Sequence, residues 1–434
     1  MKILINQKSY KYISDNSNEV GADTAFFCTS SNEEYLNDAK NNGAATIVTP
    51  AVFLSLVDLS GVSIVGITGT NGKTTTAAAM YSFLLDLGER VALQGTRGFF
   101  INDDRIAEKS LTTPPLLETF HHLMLAKKSG CSFFIMEVSS HAISQKRIES
   151  LSFDLKIYTN ISQDHLDYHK SFDAYKKAKE SFFNDDCKKL INKDAKKIVF
   201  NTKNAYTYAL DAPSTFNILA FSLNDGVTAM VKHLGKESDF KSPMVGFFNV
   251  YNLLAAISAV KLITKYSMQE ICDVVQEFAG VSGRMEIISD RPLVIVDFAH
   301  TPDGMQKVMD SLKDKDIVVV FGAGGDRDKS KRAMMGRVAN RFAKKIYLTN
   351  DNPRSEDPME IINSIYEAIE KKDNVIVNAD RKESIENAIN ELVDGEILLI
   401  LGKGDEEYQE IRGENIPFDD RIIDKEAIKV KFNR

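Results

Sequence analysis

The chain has 434 residues, with 61 acidic side chains against 54 Lys and Arg, a formal net charge of −7 and 43% hydrophobic residues. That composition excludes a disordered or fibrous protein, and the acidic balance argues against a general nucleic-acid coat or a membrane-surface protein while leaving a small anionic ligand open. At about 150 residues per domain the length predicts two or three domains, each able to bury a core of its own.

The N-terminal stretch MKILINQKSY lacks the apolar centre of a signal peptide. Nothing in the chain approaches the roughly 18 uncharged apolar residues that span a bilayer. A cytoplasmic chain without membrane insertion is expected. Cys28, Cys131, Cys187 and Cys272 lie far apart with no CxxC pair, which predicts small buried hydrophobes rather than a disulfide framework or a thiolate metal cage.

Residues 1–60 alternate short apolar runs, Thr24 to Cys28 and Ala44 to Val48, with polar, Asn-rich turns, as in a small α/β module. From Val62 the buried-strand pattern VSIVGI enters a glycine-rich loop, and a helix-like segment, TTTAAAMYSFLLDL, then runs to Gly88. Phe133 to Val138 and Leu155 to Thr159 are continuous apolar runs, expected of parallel strands covered on both faces. Chemistry is expected at their C-terminal ends. The last third repeats one unit, with strands predicted at Leu293 to Phe298, Ile317 to Phe321, Lys345 to Leu348, Asn374 to Val377 and Ile397 to Leu401, separated by amphipathic helical segments. That pattern is a doubly wound α/β domain. Its start is placed at the glycine-rich GVSGR, residues 280–284.

Gly66-Ile-Thr-Gly69-Thr70-Asn71-Gly72-Lys73-Thr74 lies between a strand and a helix, where backbone N–H groups and a helix N-terminus can surround phosphate oxygens. Lys73 would neutralise the β and γ phosphates of a nucleotide and Thr74 would ligate Mg²⁺. The usual G-x-x-x-x-G-K-[ST] pattern has glycine where this chain has Ile67, so the loop is a variant. Glu137 ends the strand FFIMEV, where a carboxylate could face that loop and hold a hard cation. Asp164, His165, Asp167 and His169 cluster after the next strand. Phe172, Tyr175, Lys179 and Phe182 recur at i, i+3, i+7 and i+10, which puts Lys179 on an apolar helix face. Desolvation there would raise its neutral fraction and let it react with CO₂ to an anionic carbamate; a side chain snorkelling to solvent is the alternative.

The ordered segments GITGTNGKTTT, LTTPP, MEVSSHAISQKR, TNISQDHLDYH, AYKKAKESFF, GFFNVYNLLAA, GVSGRMEII, VDFAHTPD, FGAGGDRDKSKR, TNDNPR and LGKGDEEYQ resemble those of the Mur ligases, the ATP-dependent amino-acid-adding family of peptidoglycan assembly. Among them the chain is most similar to the branch joining UDP-N-acetylmuramoyl-L-alanyl-D-glutamate to a diamino acid. The resemblance implies three domains: a shortened UDP-substrate-binding module at 1–60, a central P-loop ATPase domain with a mostly parallel sheet at 61–282, and a Rossmann-like amino-acid-binding domain at 283–434. It implies that ATP and Mg²⁺ are used, that Gly69 to Thr75 with Asn249, Asn252, Arg284 and Asp297 bind ATP, and that Thr74, Glu137, His165 and carbamylated Lys179 hold the metal. It also implies that Thr112, Thr113, Ser139, Gln145 and Arg147 bind the UDP-muramoyl substrate. A monomer is expected, with no nucleic-acid partner.

Asp351-Asn352-Pro353-Arg354 follows the strand KKIYL, and Pro353 biases Asn352 toward an extended backbone. Arg354 is then expected to be free to pair bidentately with a carboxylate. meso-Diaminopimelate carries a second carboxylate that lysine lacks, so an arginine in the pocket would favour it. In the family this motif resembles the signature of the diaminopimelate-adding enzymes, with Arg327, Gly402 and Glu406 matching the other amino-acid contacts. Two positions depart from the family pattern. Asp405 stands where a histidine is usual, and the N-terminal substrate motif is reduced to Asp15-Asn16-Ser17, which leaves Asn16 as the candidate UDP contact. A lysine-adding ligase and, from another class, an ATP-driven switch without ligation remain the competing readings.

Overall fold

A computed structural model describes residues 1–108 and 111–432. A four-stranded sheet formed by Lys2–Leu4, Tyr12–Ser14, Thr24–Phe27 and Ile47–Val48 comes first. An 11-stranded sheet and then a six-stranded sheet follow. In the central sheet Ser63–Thr68 lies between Phe133–Glu137 and Leu155–Tyr158, parallel to both. The parallel centre ends in antiparallel strands on both sides, Gly98–Ile101 with Asp104–Ala107 and Val227–His233 with Lys236–Ser242.

Period-two alternation explains why the strand runs are apolar throughout. Phe133 and Ile135 enter one core and Phe134 and Met136 the other, on opposite faces of one sheet. In the last sheet Ile317, Val319 and Phe321 pack on one face and Val318 and Val320 on the other. Its predicted strands are present as Leu293–Asp297, Asp316–Phe321, Ala343–Leu348, Val375–Val377 and Glu396–Leu401. The last of them sits between the first two, parallel to both.

The N-terminal module corrects the expectation of one core per domain. Ile3, Ile13, Phe27 and Phe53 share a single cluster with Ile64, Phe120 and Phe134 of the central unit, because some 60 residues bury too little surface by themselves. Phe53 stacks on Phe120 with ring centroids 4.8 Å apart, and Phe27 meets both rings edge-on. Cysteine burial is also only partly as expected: Cys131 and Cys272 are buried, whereas Cys28 and Cys187 are half-buried. No helix among the described residues is long and apolar enough to cross a membrane.

Removing the Phe120 ring takes away the surface against which the N-terminal aromatics pack. Phe120→Ala is expected to cost about 3–5 kcal/mol and to expose the first 60 or so residues to protease before the rest, as read by thermal unfolding and limited proteolysis.

Candidate active site

Helix Lys73–Asp86 begins at Gly72, whose φ of +84° is a left-handed conformation. A Cβ there would lie 2.4 Å from Asn252 Oδ1. Asn252 in turn donates to Asn249 Oδ1 at 2.8 Å, so both asparagines sit behind the loop. The first bond of the helix runs from Thr76 N–H to the Gly72 carbonyl. The N–H groups of Lys73, Thr74 and Thr75 therefore have no acceptor within the helix and are available to an anion. Thr70 and Asn71 are committed elsewhere: their N–H groups donate to the Asn160 carbonyl and to Asn160 Oδ1, and Thr70 Oγ1 bonds the Tyr175 hydroxyl at 2.8 Å.

Two lysines meet at this loop. Lys73 Nζ donates to the carbonyls of Gly69 and Thr70, each at 2.9 Å, and Lys179 Nζ donates to the same Gly69 carbonyl at 3.0 Å. Lys179 lies on helix Phe172–Ser181, capped by Ser171, and is only 2% exposed. Burial, reinforced by the Lys73 charge, holds its pKa well below the usual lysine value. Lys73 is also pulled down by burial, partly offset by Glu137 and Asp164.

Glu137 is buried at its strand end and accepts from Thr74 Oγ1 at 2.9 Å and from the Thr96 N–H at 2.9 Å. His165 has a left-handed φ of +53° and lies 3.3 Å from the Asp164 carboxylate. Burial outweighs that carboxylate and keeps the imidazole neutral, as a metal ligand must be. Among the described residues no three His, Cys, Asp or Glu side chains group to hold a metal. The donors Thr74, Glu137 and His165 suit a hard cation, but Lys179 suits one only after its amine has become an anion.

Next to Glu137, Thr113 Oγ1 donates to the Glu137 carbonyl, Ser139 N–H donates to Thr113 Oγ1, and Arg147 donates to the Thr113 carbonyl. Thr112 Oγ1 accepts from Thr96 Oγ1 at 3.2 Å. Gln145 and Arg147 line a cavity of about 360 Å³ with Asp15, Phe27, Thr29 and Asn32 of the N-terminal module. Asn16 is not part of that lining; it is exposed and accepts from Asn18 N–H as the cap of a short helix. Asn32 was invisible to motif reading, yet it ties the cavity wall by donating to the carbonyls of Asp15 and Phe27.

The C-terminal unit forms the opposite wall. Asp303, at the start of helix Pro302–Asp310, accepts from Asn71 Nδ2 at 2.8 Å and from Ser162 Oγ at 3.0 Å, a direct contact with the phosphate loop. The Arg284 guanidinium lies 3.9 Å from the centre of the Phe298 ring. Asp297 braces the strand end by accepting from the N–H groups of Met285 and Ala299. Arg327 reaches Asp167 at 3.8 Å. The departure at Asp405 is an ion pair across the cleft, with Arg97 Nε 3.4 Å from its carboxylate.

Around the DNPR turn, fully buried Lys403 donates to Asn352 Oδ1, Glu406 Oε2 and the Tyr408 carbonyl. Asn352 Nδ2 also donates to Glu406. Asp351 is buried beneath Gly402, where a Cβ would lie 2.4 Å from Asp351 Oδ2. The expectation of a free Arg354 fork is corrected: its Nε donates to Glu410 and its Nη1 to the Gly325 carbonyl, each at 2.8 Å. Pro353 packs against Gly325, where any Cβ would meet the Pro353 carbonyl.

A nucleotide loop on one wall and an ion-paired polar pocket on the other define a ligase that joins an acid to an amino acid with ATP. The chain belongs to the Mur ligase family, matching the Mur ligase middle domain over residues 67–260 and the Mur ligase glutamate ligase domain over 283–404. It is 51% identical over 421 residues to the UDP-N-acetylmuramoyl-L-alanyl-D-glutamate--2,6-diaminopimelate ligase of Wolinella succinogenes, covering 97% of each chain. It is 48% identical to the enzyme of that name from Helicobacter pylori, over 96% of each chain. A solved structure of a ligase with the same name superposes with a TM-score of 0.66 at 29% identity, covering 96% of this chain and 94% of that one. A pseudomurein peptide ligase type C from Methanothermus fervidus shares the fold, with a TM-score of 0.68 at 18% identity over 94% of this chain and 86% of that one.

Gly72→Ala forces a side chain into both a left-handed backbone and the Asn252 amide. It is expected to weaken binding of ADP or a non-hydrolysable ATP analogue by about tenfold or more, measured by calorimetry, while the melting temperature of the nucleotide-free protein falls only modestly.

Proposed function

We propose that this chain joins meso-2,6-diaminopimelate to UDP-N-acetylmuramoyl-L-alanyl-D-glutamate with ATP, forming an amide and releasing ADP and phosphate. The observation that carries the reading is the convergence of Lys73 and Lys179 on one carbonyl at a phosphate loop, in a chain 51% identical to a ligase of that name.

A carboxylate is a poor electrophile, because an amine cannot displace oxide from it. In the proposed reaction the D-glutamyl γ-carboxylate attacks the γ-phosphorus of ATP in line, giving an acyl phosphate and ADP. The amino nitrogen of the diamino acid then adds to the acyl carbonyl. The tetrahedral intermediate expels phosphate, and the nitrogen loses its proton as the amide forms.

Lys73 leaves the Gly69 and Thr70 carbonyls to pair with the phosphates, and the N–H groups of Lys73, Thr74 and Thr75 receive phosphate oxygens. Thr74, Glu137, His165 and Lys179 as its carbamate would hold Mg²⁺, which when bound offsets charge between the phosphates and the incoming carboxylate. Thr112, Thr113, Ser139, Gln145 and Arg147 position the muramoyl peptide. Asn352, Arg354 and Glu406 orient the diamino acid, and the Asp303 and Asp405 contacts across the cleft keep water from the acyl phosphate.

Lys179→Ala is expected to abolish amide formation. A short carboxylate such as formate would restore part of the activity by filling the place of the missing anion, whereas added bicarbonate would not. Full activity of the alanine variant, followed as phosphate release and amide product, removes the carbamate from the mechanism. In the unmutated protein, product with lysine but not with diaminopimelate would overturn the choice of amino acid.

A further inference from the structure

The Arg354 guanidinium already has a carboxylate partner within its own chain. A guanidinium holds a carboxylate by two parallel bonds along either of two edges, Nε with Nη2 or Nη1 with Nη2. Here Glu410 Oε2 accepts from Nε and the Gly325 carbonyl accepts from Nη1. Each edge therefore has one nitrogen engaged, and among the described residues only Nη2 lacks an acceptor.

The two partners differ in their freedom to leave. Gly325 is wedged against the Pro353 backbone, with no room even for a Cβ, so its carbonyl is fixed. The Glu410 side chain is 34% exposed on the short strand Tyr408–Ile411. Its backbone is pinned independently, since Glu410 N–H donates to Asn352 Oδ1 and Arg354 N–H donates to the Glu410 carbonyl. The carboxylate can swing into solvent while the DNPR turn stays in place.

We infer that Glu410 is a specificity-determining residue: it competes with the distal carboxylate of the incoming diamino acid for Arg354, and so sets how strongly the pocket prefers that amino acid over lysine. The inference rests on the functional reading above and deepens it. A diamino acid with a second carboxylate displaces Glu410 from Nε and gains the Nε and Nη2 edge, at the cost of the internal pair. With lysine bound, Arg354 keeps Glu410, so the guanidinium is not left unpaired and the penalty against lysine is reduced. Removing the Glu410 charge therefore acts in opposite directions on the two amino acids, which loss of packing would not do.

The test is steady-state kinetics of the full-length protein and Glu410→Gln, with ATP and the UDP-muramoyl dipeptide saturating. The expected KM for meso-diaminopimelate falls by roughly two- to fivefold, the factor that a partly exposed ion pair allows. kcat and the KM values for ATP and the dipeptide stay near their starting values, and the preference for diaminopimelate over lysine in kcat/KM rises by more than the fall in KM. Glu410→Ala and a melting curve for each variant guard against a folding defect. An unchanged or raised KM for diaminopimelate in both variants, with melting temperatures preserved, would overturn the inference, since Glu410 would then only prop the pocket. Failure of the functional reading would be seen separately, as absence of amide product with diaminopimelate in the unmutated protein.

Discussion

Two lysine side chains, that of Lys179 buried, share one carbonyl oxygen at the phosphate loop, and this end of the molecule is organised around that crowding. Lys73 and Lys179 both donate to the Gly69 carbonyl, and the Lys73 charge adds to burial in holding the Lys179 pKa down. Phosphate bound at the helix start would draw Lys73 away, and the carbamate proposed for Lys179 would replace the second positive charge with a negative one. Either change would relieve the crowding at this carbonyl, and together they would give the arrangement proposed above for nucleotide and metal. The glycine at 69 is part of the same constraint, because a Cβ there would lie 1.9 Å from Thr159 Oγ1.

The opposite wall handles charge differently. Three of its cations are paired with carboxylates: Lys403 with Glu406, Arg354 with Glu410, and Arg332 with Glu356 in a bidentate pair. That last pair fixes the loop that carries Arg327, since Glu356 also accepts from the Asp326 N–H. If this wall takes the amino acid as proposed, its paired charges would admit a zwitterion by exchanging partners.

Much of this was legible in the sequence, for physical reasons particular to each element. The apolar runs at Phe133 and Ile317 read as strands because both faces are covered, and Lys179 read as lying on an apolar helix face because its neighbours at helical spacing are aromatic, although that spacing alone did not separate burial from snorkelling. Strand order was not legible, since local pattern does not say that Glu396–Leu401 inserts between Leu293–Asp297 and Asp316–Phe321. The edge strand Lys236–Ser242, KESDFKS, is too polar to stand out. The contacts made by Asp303 and Glu410 escaped detection because each depends on a partner far along the chain, 232 residues away for Asn71 and 56 for Arg354. Glu410 also undid the simple picture of Arg354, because reading the DNPR turn alone supplies no competitor for its guanidinium.

The glycines joining the central and C-terminal units, which the sequence groups in the run GVSGR, do different jobs. Gly283 is clamped, since a Cβ there would lie 2.1 Å from the Asp405 N, and Gly404 presses back on the Gly283 carbonyl. Gly280, with φ +112°, has only the Met244 side chain nearby, at 3.6 Å. A swivel between the two units would find room at the upstream residue, whereas the downstream one is riveted to the C-terminal unit.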